Sequence, residues 1–411
     1  MEKNRVLIVS NYFYPEEFKI NEIAFELSVK GFEVSVLTGI PNYPVGKFFK
    51  GYGIFQKNTE LYKGVKIIRL PQIPRGNGSK IRLIINYLSF FISLLFYSLY
   101  ISFFKKYDII FVHHVSPIFL GIPSLIIKKI QGIKMIFWNL DLWPEAVSYY
   151  LKKNWMNKQI IKFLNLIVKF IYSNSDKLLI SSKSFKNHAI IRGVSEKNII
   201  YFPNWAEEIY TSKSENLIVS SDYNFPPNSF KIMFAGNIGE GQDMNSVLKA
   251  IEHTYNIDKN ICWIIVGDGR MKTWIENQVK MKKLDICVKF LGRHPVELMP
   301  SFFRLADAML LPLLDGSVYS STVPAKLQAY MASRKPVLAM INGEAATVIK
   351  ESKCGLVTNS GNYIQLSKNV LKMKNNIDDL DYYSQNSYKY YKENYSKQKT
   401  INKLVDIINK L

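Results

Sequence analysis

Cysteine and histidine are scarce in this sequence, with three cysteines and five histidines among 411 residues. The cysteines (Cys262, Cys287 and Cys354) are widely separated and have no pair of histidines near them. Neither a disulfide framework nor a zinc site is therefore expected, and a reducing cytoplasm suits the chain best. The apolar run at 6–9 is too short for a signal peptide, so we expect no export.

Acidic residues are also under-represented: 33 Asp and Glu stand against 54 Lys and Arg, which gives a formal net charge of +21. This balance indicates an acidic partner, which could be nucleic acid, anionic lipid or a phosphorylated small molecule. The sequence contains no recognisable module for reading nucleic acid, so no nucleic acid is expected as a partner.

The sequence lacks a G-x-G-x-x-G turn after its first β-rich run, which disfavours a bound dinucleotide. It has instead an alternation of short, continuously apolar runs with longer helical stretches, the pattern of a parallel sheet covered on both faces. The first half predicts strands at 6–10, 34–38, 65–70, 109–113, 135–138 and 178–181. The second half predicts strands at 232–236, 263–267, 288–292, 308–311, 337–341 and 356–357.

These runs predict two doubly wound α/β domains, which we expect to face one another across a cleft. The first is expected at 1–205 and the second at 206–380, with a connector rich in Ser, Asn and Pro at 212–229. The segment 381–411 carries no strand pattern and predicts a helix that packs back on the first domain. An independent surface helix is the alternative.

The segment 321–331 predicts a helix that begins near residue 322. Ser321 and Thr322 are residues that cap helices, and Pro324 suits a first turn. Such a helix would open at the carboxyl edge of the second sheet, where its N–H groups attract a phosphate that Lys326 could also reach. The alternative is a capped surface helix with a solvated lysine.

Glycine, arginine and histidine follow three predicted strands of the second half. The three turns contain Gly236, Asn237 and Gly239, then Gly267, Gly269 and Arg270, then Arg293 and His294. Glycine lets backbone amides approach a diphosphate, and the cations would offset its charge when it leaves. Arginines in surface loops are common, so solvated side chains are the alternative.

Aromatic and polar residues follow the predicted strands of the first half. They are Tyr12, Pro15 and Glu16, then Asn42 and Tyr43, then His114, then Asp141 and Trp143. We expect Glu16 to hold a hydroxyl, and Asp141 beside Trp143 to form a platform for a carbohydrate. Capping carboxylates are the alternative in both cases. The histidines lack a ligand partner at a suitable spacing, so no metal is expected.

The stretch 81–104 is apolar enough for a transmembrane helix and has basic residues on both sides. A span would place predicted strands of one sheet on opposite sides of a membrane, so we expect a helix lying in the plane of an anionic leaflet. A core helix without lipid contact is the alternative.

Several motifs together resemble those of one enzyme family. They are the turn at 11–16, the segment 37–44, Asp141-Leu142-Trp143-Pro144-Glu145, Pro203-Asn204-Trp205, Gly236-Asn237-Ile238-Gly239, and Val323-Pro324-Ala325-Lys326-Leu327-Gln328. On these motifs nearly the whole chain resembles a retaining glycosyltransferase of family 4. That family has the GT-B fold, with two Rossmann-like domains and a C-terminal helical crossover. Within the family the chain is most similar to the WbuB-like L-fucosamine transferases of O-antigen and capsule assembly.

The resemblance implies a UDP-sugar donor, with N-acetyl-L-fucosamine or a related N-acetylhexosamine as the sugar, and neither metal nor cofactor. It implies a polyprenyl-diphosphate-linked saccharide as acceptor, and a cytoplasmic enzyme peripheral on the inner face of a bacterial inner membrane. The residues implied as catalytic are Asp141, Glu16 and Lys326. Those implied for the donor, on the second domain, are Gly236, Asn237, Gly239, Gly267, Gly269, Arg270, Arg293, His294, Ser321, Thr322, Lys326 and Gln328. Those implied for the acceptor, on the first domain, are Tyr12, Pro15, Glu16, Asn42, Tyr43, His114 and Trp143.

The family's usual paired glutamates are absent, and Ser320 and Gln328 stand at the matching positions. We therefore expect Gln328 to bond the ribose hydroxyls, and Lys326 with Arg293 to bind the phosphates. Two alternatives are a sugar-nucleotide epimerase of the same fold and an inactive assembly partner at the membrane.

Overall fold

The computed structural model describes residues 4–148, 154–211 and 223–411. They form two compact units, Met1–Pro203 with Ile401–Leu411, and Asn204–Thr400. Most of the predicted connector, 212–222, lies outside the described residues. The C-terminal segment differs from the expectation, because its residues up to Thr400 belong to the second unit and only Ile401–Leu411 belong to the first.

The first unit contains an eight-stranded sheet in the order β3-β4-β2-β1-β5-β6-β7-β8. All neighbouring strands are parallel except β3 and β4. The strands are β1 (Arg5–Ser10), β2 (Glu33–Gly39), β3 (Thr59–Tyr62), β4 (Val65–Leu70), β5 (Ile109–His114), β6 (Lys134–Asn139), β7 (Lys177–Ile180) and β8 (Ile199–Tyr201). The helices are α1 (Lys19–Val29), α2 (Lys80–Phe104), α3 (Gly121–Gln131), α4 (Glu145–Ser148), α5 (Trp155–Ser173) and α6 (Phe185–Ile191).

The predicted runs are continuously apolar because the sheet is covered on both faces, and Val6, Leu7, Ile8 and Val9 of β1 are all fully buried. Alternate residues of these strands pack beneath a layer that contains α2, α3 and α5. The layer contributes Phe90, Leu94 and Val168 to that core.

The second unit contains a six-stranded parallel sheet in the order β11-β10-β9-β12-β13-β14. The strands are β9 (Phe230–Ala235), β10 (Ile261–Val266), β11 (Val288–Gly292), β12 (Ala308–Pro312), β13 (Val337–Met340) and β14 (Gly355–Thr358). The helices are α7 (Met244–Ile257), α8 (Lys272–Met281), α9 (Met299–Leu305), α10 (Ser317–Ser320), α11 (Ala325–Ala332), α12 (Glu344–Ser352), α13 (Tyr363–Asn375) and α14 (Asp378–Asn394). Helix α15 (Lys397–Asn409) runs across the boundary between the units.

The helix predicted to begin near residue 322 begins three residues later. It is α11, which starts at Ala325 and has Pro324 as its N-cap residue. Ser321 instead follows the last residue of the short helix α10, as its C-cap. Leu327, Tyr330 and Met331 are buried as the helical pattern predicts. The prediction of a helix was therefore right, whereas its serine–threonine cap was wrong.

Candidate active site

Three loops meet at the carboxyl edge of the second sheet. Gly236 N donates to Val266 O at 2.9 Å, Gly267 N donates to Gly292 O at 2.7 Å, and Ile238 N donates to Asp268 O at 2.8 Å. These bonds hold the segments after β9, β10 and β11 side by side. The carboxyl edge of a parallel sheet is where such folds bind ligands, so this is the candidate site of the second unit.

Two glycines of these loops allow a close approach that other residues would prevent. Gly236 has φ +134°, and a Cβ there would lie 2.6 Å from Lys326 Cε. Gly267 has φ +138°, and a Cβ there would collide with the carbonyl oxygen of Gly236. Only glycine adopts such backbone angles readily, so the lysine stem can pass directly beneath the loops.

Lys326 is the cation of this site. Its Nζ donates to Gln242 Oε1 at 2.6 Å and lies 4.1 Å from the centre of the Phe234 ring. No carboxylate of the described residues pairs with it. Burial lowers the pKa of the ammonium group to about 7, because a charge without a counter-ion is poorly solvated there. An anionic ligand would supply the missing charge.

In the first unit, Glu16 ties two loops together. Its Oε1 accepts from the backbone N–H groups of Asn42 and Tyr43, both at 2.7 Å. The side chain is only 3% exposed, and burial raises its pKa to about 7 despite the hydrogen bonds that oppose this shift. Glu16 therefore fixes the loop after β2 against the loop after β1.

Tyr12 and Tyr43 lie in these same two loops, with ring centres 5.7 Å apart. Tyr12 stacks on Phe18, and its hydroxyl lies 3.4 Å from that of Tyr87 on α2. Tyr43 is 41% exposed, so its ring offers an accessible apolar surface. An aromatic face beside polar backbone is suited to a sugar ring.

Asp141 follows β6 at the same edge of the first sheet. Ser116 Oγ donates to Asp141 Oδ2 at 3.2 Å, and burial raises the pKa of this carboxyl to about 6. The loop is anchored from behind by Glu145, whose Oε1 accepts from Arg192 Nη2 at 2.7 Å. Asp141 thus has the environment of a group that exchanges a proton near neutral pH.

The groups of titratable residues in the described ranges include no cluster of three or more His, Cys, Asp or Glu that could hold a metal ion.

Residues 218–390 match the model of the family described as glycosyl transferases group 1. This chain is a glycosyltransferase. The colanic acid biosynthesis glycosyl transferase WcaI, as a protein of Escherichia coli K12 is named, is 23% identical over 80% of this chain and 81% of its own. An uncharacterized glycosyltransferase of Methanocaldococcus jannaschii is 21% identical over the whole of both chains.

Solved structures of glycosyltransferases share the fold of this chain. Sucrose-phosphate synthase from Thermosynechococcus elongatus has a TM-score of 0.73 at 14% identity and covers 99% of both chains. Anabaena HepE in complex with UDP has a TM-score of 0.68 at 13% identity over 100% of both chains. The glycosyltransferase therefore has the predicted GT-B fold, with two Rossmann-like domains and a helical C-terminus.

The predicted donor residues of the glycosyltransferase fall into two groups. Asn237, Arg270 and Arg293 are exposed at the loop edge, where they can approach a ligand. His294, in contrast, forms a hydrogen bond between its Nε2 and Leu291 O at 2.8 Å, and its ring centre lies 4.4 Å from that of Phe302. It therefore shapes its own loop.

Gln328 requires a correction. Its side chain is 2% exposed, and its Nε2 donates to Asn204 O at 3.0 Å. On a helix whose inner face is buried, position 328 points into the protein, so the expected contact with ribose hydroxyls has no surface to form on.

His114 and Trp143 require the same correction in the first unit. His114 is fully buried, and its Nδ1 lies 2.9 Å from Asn139 Oδ1. Trp143 is 8% exposed, and its Nε1 donates to Ser116 Oγ at 3.3 Å. Both rings pack into the core, so Trp143 supports the Asp141 loop through Ser116 and is no open platform for a carbohydrate.

Two residues of the candidate site were missed by the sequence analysis. Gln242 holds Lys326, and Tyr319 lies against Gly241, where a Cβ would be 2.8 Å from its hydroxyl oxygen. Gln242 follows the glycine turn closely and could have been found from that position, whereas nothing in the sequence links Tyr319 to a loop that precedes it by almost eighty residues.

Replacing Lys326 by Met should stabilise the ligand-free protein. The pKa of Lys326 falls from 10.5 to about 7 on folding, so the folded chain binds fewer protons than the unfolded chain between these pH values, and its stability rises with pH there. Below pH 7 the full cost of burying the cation is present. The melting temperature of Lys326→Met should therefore exceed that of the wild type by more at pH 6 than at pH 9.

The control is Lys350→Met, which alters an exposed lysine of α12 and should give the same small change at both pH values. Equal effects of the two substitutions would contradict the description of Lys326 as a buried cation without a counter-ion.

Proposed function

We propose that this glycosyltransferase moves a sugar from a UDP-sugar, held by the second unit, to a hydroxyl of a polyprenyl-diphosphate-linked saccharide, held by the first. The observation that carries the proposal is Lys326, a partly buried ammonium group with no carboxylate partner among the described residues, directly beneath the Gly236 loop. A nucleotide diphosphate supplies an anion of suitable charge and shape at this place.

The names of similar proteins support this choice of donor and setting. Anabaena HepE has been solved with UDP, and also with UDP-glucose. The Escherichia coli relative is named for the biosynthesis of colanic acid. These names support a UDP-sugar donor and a role in polysaccharide synthesis. From the motifs that resemble the WbuB-like transferases we infer O-antigen or capsular polysaccharide as the product, with N-acetyl-L-fucosamine or a related N-acetylhexosamine as the sugar.

The reaction retains the anomeric configuration of the donor. The acceptor hydroxyl attacks the anomeric carbon from the face that UDP leaves, and its proton passes to the donor phosphate. Lys326, assisted by Arg293, stabilises the charge that develops on the departing diphosphate, which is the role that metal ions have in other transferases. Asp141 orients the acceptor hydroxyl, while Glu16 holds the loop that carries Tyr43.

The helical layer of the first unit supports a membrane as the setting. Helix α2 is long and apolar enough to cross a membrane by length and composition, and 28% of its most apolar window is buried. The strands on either side of it, β4 and β5, belong to one sheet, so a crossing would break that sheet. The outer face of α2 is apolar, with Ile81 and Phe103 each 71% exposed.

Helix α5 extends this apolar face. Trp155 is 76% exposed and Phe163 and Leu166 are each 61% exposed. Helices α2, α3 and α5 contain no Asp or Glu, whereas the chain as a whole has 33. Their basic residues are Lys80, Arg82, Lys128, Lys129, Lys158, Lys162 and Lys169. Lys128 is paired with Asp176 at 2.6 Å, and no carboxylate lies on the three helices themselves. An apolar surface on positively charged helices fits an anionic leaflet, so we infer a peripheral enzyme on the cytoplasmic face of the inner membrane.

Removing the charge of Lys326 should lower the turnover of sugar transfer by about a hundredfold, the usual effect of losing one group that stabilises transition-state charge. Radiolabelled UDP-N-acetylhexosamines with a panel of polyprenyl-diphosphate acceptors would measure it for Lys326→Met, with Lys350→Met as the control. Treatment with EDTA should leave the wild-type rate unchanged. An isomerised donor formed without acceptor, or UDP binding without any transfer, would overturn the proposed reaction.

The acidic limb of the pH–rate profile should report Asp141. Its pKa is raised to about 6 by burial, so the orienting carboxylate is lost as the pH falls through that value. Asp141→Asn should lower the rate at pH 8 and remove the limb near pH 6, whereas Glu16→Gln should leave that limb in place. A limb that persists in Asp141→Asn would contradict the assignment.

Trp155 should enter the interface when the enzyme binds vesicles that contain anionic lipid. Its fluorescence should then be quenched by brominated lipid chains, and the quenching should fall with added salt. Trp155→Phe removes the signal and identifies it. Protein that sediments with such vesicles while Trp155 stays unquenched would exclude α5 from the membrane-binding face.

A further inference from the structure

The loop between β4 and α2 carries an arginine that no assignment above uses. Arg75 Nη1 donates to Tyr12 Oη at 2.9 Å, and its guanidinium carbon lies 5.0 Å from the centre of the Tyr43 ring. Its backbone N–H donates to Asn42 Oδ1 at 3.0 Å. Arg75 is therefore fixed against three residues proposed to bind the acceptor.

A second guanidinium group lies beside the same loop. A Cβ built on Gly76 would lie 3.4 Å from Arg82 Cδ and 3.6 Å from Arg82 Nε. Arg82 itself is exposed, in the first turn of α2. Arg75 precedes Gly76 in the chain and Arg82 packs beside it, so two arginines lie at the same loop.

Neither arginine forms an ion pair with a described residue. The carboxylate whose charge Arg75 influences is Glu16. Glu16 Oε1 is already occupied by two backbone N–H groups, and burial favours its neutral form. Arg75 and Arg82 are therefore without a direct carboxylate partner among the described residues, and Glu16 acts on Arg75 without forming an ion pair with it.

Arg75 and Arg82 lie between an aromatic surface and an apolar surface, and this position indicates the ligand. On one side lie the rings of Tyr12 and Tyr43, which suit a sugar. On the other side begins the exposed apolar face of α2, with Ile81 71% and Ile84 56% exposed. A lipid-linked saccharide presents the same order of groups: sugar, diphosphate and hydrocarbon chain.

We propose that Arg75 and Arg82 bind the diphosphate of the acceptor, as a site distinct from that for the donor diphosphate at Lys326. This inference rests on the proposed function, since it assigns the anionic group of the acceptor inferred there. Guanidinium groups bind two phosphate oxygens at once. Arg75 is held in place by its contacts with Tyr12 and Tyr43, so little side-chain entropy is lost on binding.

Farnesyl diphosphate, a short lipid diphosphate, is the probe, titrated without vesicles and with UDP at saturation so that the donor site is filled. Arg75→Gln and Arg82→Gln should each weaken its binding about tenfold or more, and farnesyl monophosphate should bind the wild type more weakly than the diphosphate. Lys105 and Lys106 lie just beyond the other end of the same helix. The double variant Lys105→Gln/Lys106→Gln is the matched control and should bind the probe as the wild type does.

UDP affinity and melting temperature should be unchanged in Arg82→Gln, whose side chain is exposed, so loss of probe binding there cannot reflect misfolding. Equal affinity of wild type and both arginine variants, or no binding of the probe to the wild type, would overturn the inference. Variants that bind the probe normally but lose binding to anionic vesicles would overturn it too, and would assign the arginines to phospholipid headgroups.

This titration measures no transfer, so its outcome is separate from that of the proposed function. Weaker probe binding in the arginine variants would support the site even if the donor were not a UDP-sugar. Sugar transfer with unchanged probe binding would leave the proposed function standing without this site.

Discussion

A partly buried cation with no counter-ion among the described residues, Lys326, is the constraint on which the second unit depends. Placing Lys326 beneath the loops after β9 and β10 requires glycine at 236 and 267, because any side chain there would strike the lysine or the neighbouring backbone. The fold thereby accepts an unfavourable charge in the ligand-free state. A diphosphate bound over the loops, as proposed, would neutralise this charge, and part of its binding energy would then come from removing a cost already present in the protein.

The first unit uses the opposite charge in a related way. Glu16 and Asp141 are carboxyls whose pKa values burial raises to about 7 and about 6, respectively. Glu16 is held by backbone N–H groups of the next loop and so organises the surface that carries Tyr43. Asp141 has a single hydroxyl partner among the described residues and is less constrained. The two carboxyls therefore differ in kind, one fixing loops and the other able to meet a substrate hydroxyl.

The sequence was sufficient to predict the strands that are buried on both faces, since continuous apolar runs of that length have few other uses. It missed β3, whose residues alternate between exposed and half-buried, and β8, which has three residues. Side-chain direction was the harder problem. Adjacent residues of a strand point to opposite faces, and both faces here are covered, so His113 and His114 are both buried. The prediction that Gln328 contacts the ribose was wrong for a similar reason, because Gln328 lies on the buried face of its helix. The position of Lys326 at the loop edge could be predicted because its helix follows a loop and a strand in an order that places it there, and the lysine does lie against Gly236.

The exposed apolar face of α2 can be interpreted from the elements around this helix. An exposed face of isoleucine and phenylalanine along 25 residues would be costly in water. The flanking strands β4 and β5 nevertheless keep α2 in the helical layer that covers the sheet. A position along a leaflet, as proposed above, would satisfy both conditions. Basic residues then belong at its ends, where the interface carries phosphate. In the first turn of α2, Arg82 lies beside Gly76. The residue before that glycine, Arg75, donates to Tyr12. Lys105 and Lys106 follow the other end of the helix. On the proposed function, a lipid-linked substrate would keep its chain in the leaflet while its sugar reaches the carboxyl edge of the sheet.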